Sequence, residues 1–252
     1  MAFSLTWNTS GYDFTEEVEK LDWDDPTNIA SELVPRRHGA LVTEQPVMGP
    51  RMLHLYGAIV KSSAALAETR LNTLVVQMNS GRGQLAFSGS RYINCYKQDM
   101  AFEPSEGGGM AVIRYRIDFF ADDPFWYSTS TSSTDQAISY NPTAWAHSNG
   151  GDALIYPVVS VIAGGSPVSG GVTLTNATTG KSFTYSATVS AGQTLAVDCA
   201  NFTVLNNGVS DLNNWSGTFI WLNAGSNSLS FAGSNCTVRI AYTQRFFGPT
   251  WT

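Results

Sequence analysis

Between residues 155 and 246 the chain alternates between apolar and turn-forming stretches every few residues, and this rhythm constrains its fold more than any other feature. Strand-like segments at 155–162, 171–176, 182–189, 194–199, 216–221, 227–231 and 236–246 are punctuated by Gly164-Gly165, Thr179-Gly180, Ala191-Gly192, Asn207-Gly208 and Ala224-Gly225. Gly and Asn tolerate the left-handed backbone of tight turns, so each pair closes one strand and opens the next. Several short strands at this spacing specify a β-sandwich. No internal repeat of solenoid or propeller length accompanies them.

The rest of the chain has a different chemistry. The first 127 residues hold 11 Lys/Arg and 16 Asp/Glu, whereas the remaining 125 hold 3 and 4. This break predicts two domains, 1–127 and 135–252, in a mainly β chain. Residues 128–134, a Ser/Thr run after the aromatic cluster of DDPFWY, suit an exposed linker better than a packed element.

In the first half, residues 53–60 (LHLYGAIV) read as a strand. Ser62 or Ser63 is placed to cap a helix running through Met78, with Leu66, Leu71, Leu74, Val75 and Met78 as its buried face. Strand patterns resume at 84–87, 91–98 and 111–120, which makes this domain a sheet carrying one helix. The acidic stretch 16–25 and residues 28–44, which include Pro35, Arg36, Arg37 and His38, lack periodicity. A segment of this length is either an arm or belt that reaches a neighbouring subunit or a solvated loop. On the first reading Arg36, Arg37, His38 and Arg51 are candidate interface residues.

Chemistry is hard to find. A net charge of −6 gives no electrostatic footprint for a phosphate backbone, which disfavours specific nucleic-acid binding. His38, His54 and His147 stand in unrelated contexts without metal-pair spacing and read as structural. Cys95, Cys199 and Cys236 are too dispersed for a zinc site or disulfide framework and read as buried thiols, with a Cys199–Cys236 bridge left open. The run Gly107-Gly108-Gly109 lacks a GK[ST] ending and precedes a strand, so it is a hairpin or flexible loop. Glycoside hydrolysis needs two carboxylates about 5 to 10 Å apart, but Asp24-Asp25 and Asp122-Asp123 are adjacent pairs whose members point to opposite faces on a strand. The expectation is no enzyme, no catalytic residue, no cofactor and no metal. Trp145, Trp215, Trp221 and Trp251 admit two readings, core or interface packing or stacking on sugar rings, and Trp215 and Trp221 are the glycan-stacking candidates. With no basic n-region, no apolar h-region and no run of about 18 apolar residues, the chain is expected to stay in the cytoplasm where it is made and not to insert into a membrane.

An ordered set of segments carries a family resemblance. It comprises SLTWNTSGYDF, VPRRHGALVTEQPVMGPRMLHLYGAIV, the helix through Met78 and the aromatic turn IDFFADDPFWYS. It continues through HSNGGDALIYPVVSVIAGG, LTNATTGKSFTY, AGQTLAVDC, WLNAGSNSLSF and TVRIAYTQRFF. Together they resemble the distal tail protein (Dit) family of siphophages, along almost the whole chain. Residues 16–25 and the glycine loop have no counterpart in that pattern.

The resemblance implies an amino-terminal, tail-tube-like β-sandwich or split barrel with one α-helix and a carboxy-terminal galectin-like β-sandwich. It further implies a homo-hexameric ring at the virion tail tip, or baseplate, joining the tail tube protein to the tail hub protein and host-recognition proteins. A receptor-binding protein or the tape measure is a further candidate partner. Genomic DNA would pass through the lumen without specific binding, along a wall that an acidic protein suits. The alternative is a carbohydrate-binding adhesin module that recognises host surface glycans.

Overall fold

The computed structural model describes residues 4–8, 11–24, 27–28, 31–33, 40–42, 47–107 and 110–249. The chain divides into two compact units, Met1–Tyr127 with Phe247–Thr252, and Ser128–Phe246. The boundary falls inside a strand, Trp126–Ile138, so the Ser/Thr run 128–134 expected as a linker is extended, sheet-forming chain. Its apolar residues sit at the two ends and its middle is exposed, so no apolar alternation marked it as a strand. A second correction is that the chain after Phe246 returns to the first unit.

In the first unit, antiparallel strands run in the order Arg91–Gly107, Met110–Ala121, Arg51–Lys61, Val18–Trp23. Arg91–Gly107 also pairs with Arg82–Phe87, which pairs in turn with Leu5–Trp7. The acidic stretch thus contributes a strand, with a bulge between Val18 and Lys20, where the sequence showed only irregularity. Gly107 pairs with Met110, which makes a hairpin of the glycine run, although Gly108 and Gly109 lie outside the described residues.

Helix Ala64–Met78 is capped by Ser63, whose hydroxyl accepts from the Leu66 amide. It buries Ala67, Leu74 and Met78, while Leu66 is 53% exposed. The buried stripe is therefore set by Ala67, one residue later than the expected start, and half-buried Leu71 and Val75 flank it. Trp7, fully buried, stacks on Phe119 at 5.2 Å, and its indole N–H donates to the Gln77 carbonyl at the helix end. One side chain thereby joins sheet, core and a carbonyl of the last helical turn, which also accepts from the Ser80 amide and hydroxyl.

In the second unit, one sheet runs Val209–Ser210, Thr203–Asn206, Thr194–Asp198, Val158–Ala163, Cys236–Phe246 and then Trp126–Ile138, the strand that carries the unit boundary. The other runs Thr143–Asn149, Gly225–Ala232, Val172–Asn176, Lys181–Tyr185, Trp215–Gly217. Alternate residues of both sheets, among them Val159, Leu174, Phe183, Leu195, Phe231 and Val238, enclose one core. All three cysteines are buried free thiols, so Cys199 and Cys236 do not pair. Burial pushes the Cys199 thiol up to about 12 and Cys236 up to about 11, which keeps both protonated.

Candidate functional site

The most organised polar site in the first unit is built on Glu17, a residue that the sequence did not single out. The Glu17 main chain accepts from the Ala58 amide, and this places its side chain beneath the Arg51–Lys61 strand with 8% exposure. The Tyr12 hydroxyl donates to Oε2 at 2.6 Å and the Tyr115 hydroxyl to the same oxygen at 3.4 Å. Arg70 Nε donates to Oε1 at 2.7 Å. The Arg70 guanidinium also reaches the Asp13 carbonyl at 2.6 Å and lies 3.8 Å from the Tyr12 ring centroid.

Burial first, and then the neighbouring Glu17 carboxylate, push both tyrosine pKa values well above their ordinary value. Burial is the largest single influence and works against the Arg70 charge, but the bond to Glu17 together with the electrostatic pull of Tyr12, Glu17 and Tyr115 outweighs it and raises the Arg70 pKa. With both carboxylate oxygens engaged, Glu17 is an anchor that clamps the helix to the strands, not a free general base. A cavity of about 490 Å³ opens beside it, lined by Asp13, Thr15, Glu16, Val60 and Lys61. Arg70 was legible in principle, since it follows Ala67 by three positions and so flanks the buried stripe of the helix.

The candidate interface residues fall in different places. Arg51 is 2% exposed and its Nη1 donates to the Phe247 carbonyl at 2.6 Å, so its side chain is engaged inside its own unit. Arg36, Arg37 and His38 lie outside the described residues. Around them, Thr27–Asn28 pairs with Val47–Met48 and Ser31–Leu33 with Ala40–Val42. These nested registers describe an antiparallel hairpin, and neither pair joins another described strand.

In the second unit the glycan-stacking candidates have aromatic neighbours. Trp215 stacks on Phe219 at 4.3 Å and 19°, which covers one face of the indole, and Phe219 meets Phe202 edge-on at 5.2 Å. Trp221 meets Tyr156 edge-on at 6.3 Å, with the Lys181 ammonium 5.2 Å from its ring. Trp215 and Trp221 are not brought together in a single aromatic contact. Buried Asn149, Asn176 and Asn227 carry the polar interior, with the Asn176 and Asn227 amides bonded to each other and to main-chain carbonyls. Among the described residues no group of three or more His, Cys, Asp and Glu is placed to hold a metal ion. No described helix is long and apolar enough to cross a membrane.

His147 gives this unit a pH dependence. It is buried edge-on to Tyr242, and burial lowers its pKa below the ordinary 6.5. Below about pH 6.5 the unfolded chain binds a proton that the folded unit resists, so this contribution to stability is present above that pH and lost as pH falls. His147→Phe is expected to flatten the decline in denaturation midpoint between about pH 7.5 and 5.5. Equal slopes for variant and parent would count against it.

Residues 150–246 match the family described as the siphovirus-type tail component, C-terminal domain. That stretch lies wholly within the carboxy-terminal unit. The solved structure of the Dit protein of phage SPP1 matches with a TM-score of 0.74 at 15% identity, over 98% of this chain and 100% of that one. That protein is described as a paradigm of the hub adsorption apparatus in phages infecting Gram-positive hosts. No curated protein matches the sequence. The resemblance to the distal tail proteins therefore rests on a family match in the second unit and on a Dit-like, mainly β fold along the whole chain.

Proposed function

We propose that this chain is a structural, non-enzymatic distal tail protein. Six copies form a ring at the virion tail tip that joins the tail tube to the tail hub and to host-recognition proteins. The observation that carries this reading is the whole-length fold match to a hub protein together with the tail-component family match over 150–246. On this reading the first unit is the ring-forming, tube-like domain and the second a galectin-like sandwich on the outside. The ring is assembled in the host cytoplasm before the virion is released. The excess of 16 carboxylates over 11 cations in the first 127 residues supports a lumen along which the DNA duplex slides without sticking.

The paired segments from Thr27 to Met48 support a role in ring closure. An isolated two-stranded ribbon is marginal in water, so an arm of this kind gains stability by lying on a neighbour. A ring also needs a heterologous contact, in which an element of one copy meets a different surface of the next. Arg36, Arg37 and His38 fall within this arm, between Leu33 and Ala40, and are the residues proposed to reach that neighbour.

Because Thr27 faces Met48, a short Gly-Ser linker can replace the arm without straining the strands around it. The arm-deleted chain is expected to keep the near-ultraviolet circular dichroism of the folded protein and to lose ring formation by light scattering. Rings that persist at full yield without the arm would contradict this assignment.

A further inference from the structure

Strand Thr143–Asn149 pairs with Gly225–Ala232 and with no other described strand, so it is an edge of its sheet. Which of its main-chain groups face outward follows from the neighbouring pairing. The Ala177 amide donates to the Ser228 carbonyl, which extends a register in which Ser230 faces Thr175. Even-numbered residues of Gly225–Ala232 therefore aim their main-chain bonds at Val172–Asn176, and odd-numbered ones at Thr143–Asn149. Across that second ladder Thr143 faces Phe231, Trp145 faces Leu229 and His147 faces Asn227. Ala144, Ala146 and Ser148 are left with N–H and C=O directed away from the sheet. Consistent with this, the Tyr242 hydroxyl, and not a strand of the sheet, donates to the Ser148 carbonyl at 2.8 Å, and a carbonyl oxygen has two lone pairs.

The other sheet edges among the described residues carry devices that prevent edge-to-edge pairing. Val209–Ser210 and Tyr12–Asp13 are two residues long. Trp215–Gly217 is three residues long and ends at Gly217 with φ of 106°. Val18–Trp23 has a bulge and the charged side chains Glu19, Lys20 and Asp22. Thr143–Asn149 has seven residues in continuous register, no bulge, no proline and no Asp, Glu, Lys or Arg. Its outward residues Ala144, Ala146 and Ser148 are small and exposed.

We propose that this edge is an interaction surface whose occupant is the same strand of a second copy, antiparallel about a two-fold axis through Ala146. Self-pairing places Ala146 opposite its own copy and Ala144 opposite Ser148, which closes the open main-chain groups on both chains. The charge pattern selects this occupant. In an isologous contact each charge meets its own image or a near neighbour of it, and this strand carries none to repel. The contact uses no residue of the first unit and is independent of the ring reading.

Ala146→Cys in the full chain tests it, since a directly opposed antiparallel pair has Cα atoms about 5.5 Å apart, within disulfide range. The three native cysteines are buried and stay silent under mild oxidation. A disulfide-linked dimer is expected for Ala146→Cys, and none for Phe202→Cys, a control in the same unit at a residue 61% exposed. Ala146→Pro removes an outward N–H and no ladder bond, and Ala146→Lys sets a charge opposite itself. Both should abolish the two-fold increase in mass that light scattering reads for the parent. Linking of Ala146→Cys no greater than the control, with unchanged mass for the proline and lysine variants, overturns the proposal. A six-fold mass with no disulfide formed by the Ala146→Cys variant leaves the ring standing and removes this contact, while that disulfide without a six-fold mass does the reverse.

Discussion

Replacing Glu17 with alanine is expected to cost the first unit about 3 kcal/mol of stability, because it leaves a partly buried guanidinium and two buried phenols facing a void. Arg70 loses its carboxylate partner at 2.7 Å and Tyr12 its acceptor at 2.6 Å, in a site where Glu17 is 8% exposed. The Arg70 side chain remains 30% exposed, so water relieves part of the loss and keeps the figure at the low end for a broken buried pair. Urea unfolding of the full chain, followed at the transition that exposes Trp7, gives the value. The double variant Glu17→Gln, Arg70→Met removes both charges together and is expected to lose much less. A Glu17→Ala change below about 0.5 kcal/mol would mean that the anchor is decorative.

Gly83→Ala is expected to be at least as damaging, at about 3 kcal/mol. A Cβ at position 83 would fall 2.2 Å from the Trp7 ring, and Trp7 is fully buried between the sheet and the helix end. Neither side can yield without breaking the stack on Phe119 or the bond to Gln77. Gly165→Ala is the control, since a Cβ added there would meet nothing within 4 Å, and it is expected to stay within about 0.5 kcal/mol of the parent. Equal stabilities for the two alanine variants would contradict the packing described for Trp7.

Where side-chain pattern and backbone state agree, the sequence was a good guide. The strand Cys236–Phe246 alternates buried and less buried positions along most of its length, and its limits follow from the sequence alone. Ser63 caps the helix as its position suggested. Two misread strands share one physical cause, namely that their stabilisation is not written in local apolar periodicity. In Val18–Trp23 the buried apolar residue is Leu21, and the strand is held by its ladder to Arg51–Lys61. Trp126–Ile138 is a Ser/Thr strand held by its sheet pairing. The strand expected at 216–221 shrinks to Trp215–Gly217, because the positive φ of Gly217 takes the chain out of the sheet.

The site was less legible than the fold. Glu17 lies among other acidic residues, and its partners Tyr12, Arg70 and Tyr115 are 5, 53 and 98 positions away along the chain. Only the folded sheet and helix bring them together. Arg51 reads as a surface cation in the sequence, yet the chain that returns after Phe246 provides the Phe247 carbonyl that buries it. The indole of Trp215 was legible as an aromatic side chain, but its stacking on Phe219 depends on the turn that ends the short strand.

The central claim is assembly into a closed ring of six, and light scattering of the purified full-length chain at micromolar concentration tests it most directly. A ring has a mass of about 163 kDa, six times the 27.2 kDa of the chain, or twice that if the strand edges at Ala146 also pair. A stable 27.2 kDa species across that concentration range, unchanged when tail tube and hub proteins are added, would contradict the account.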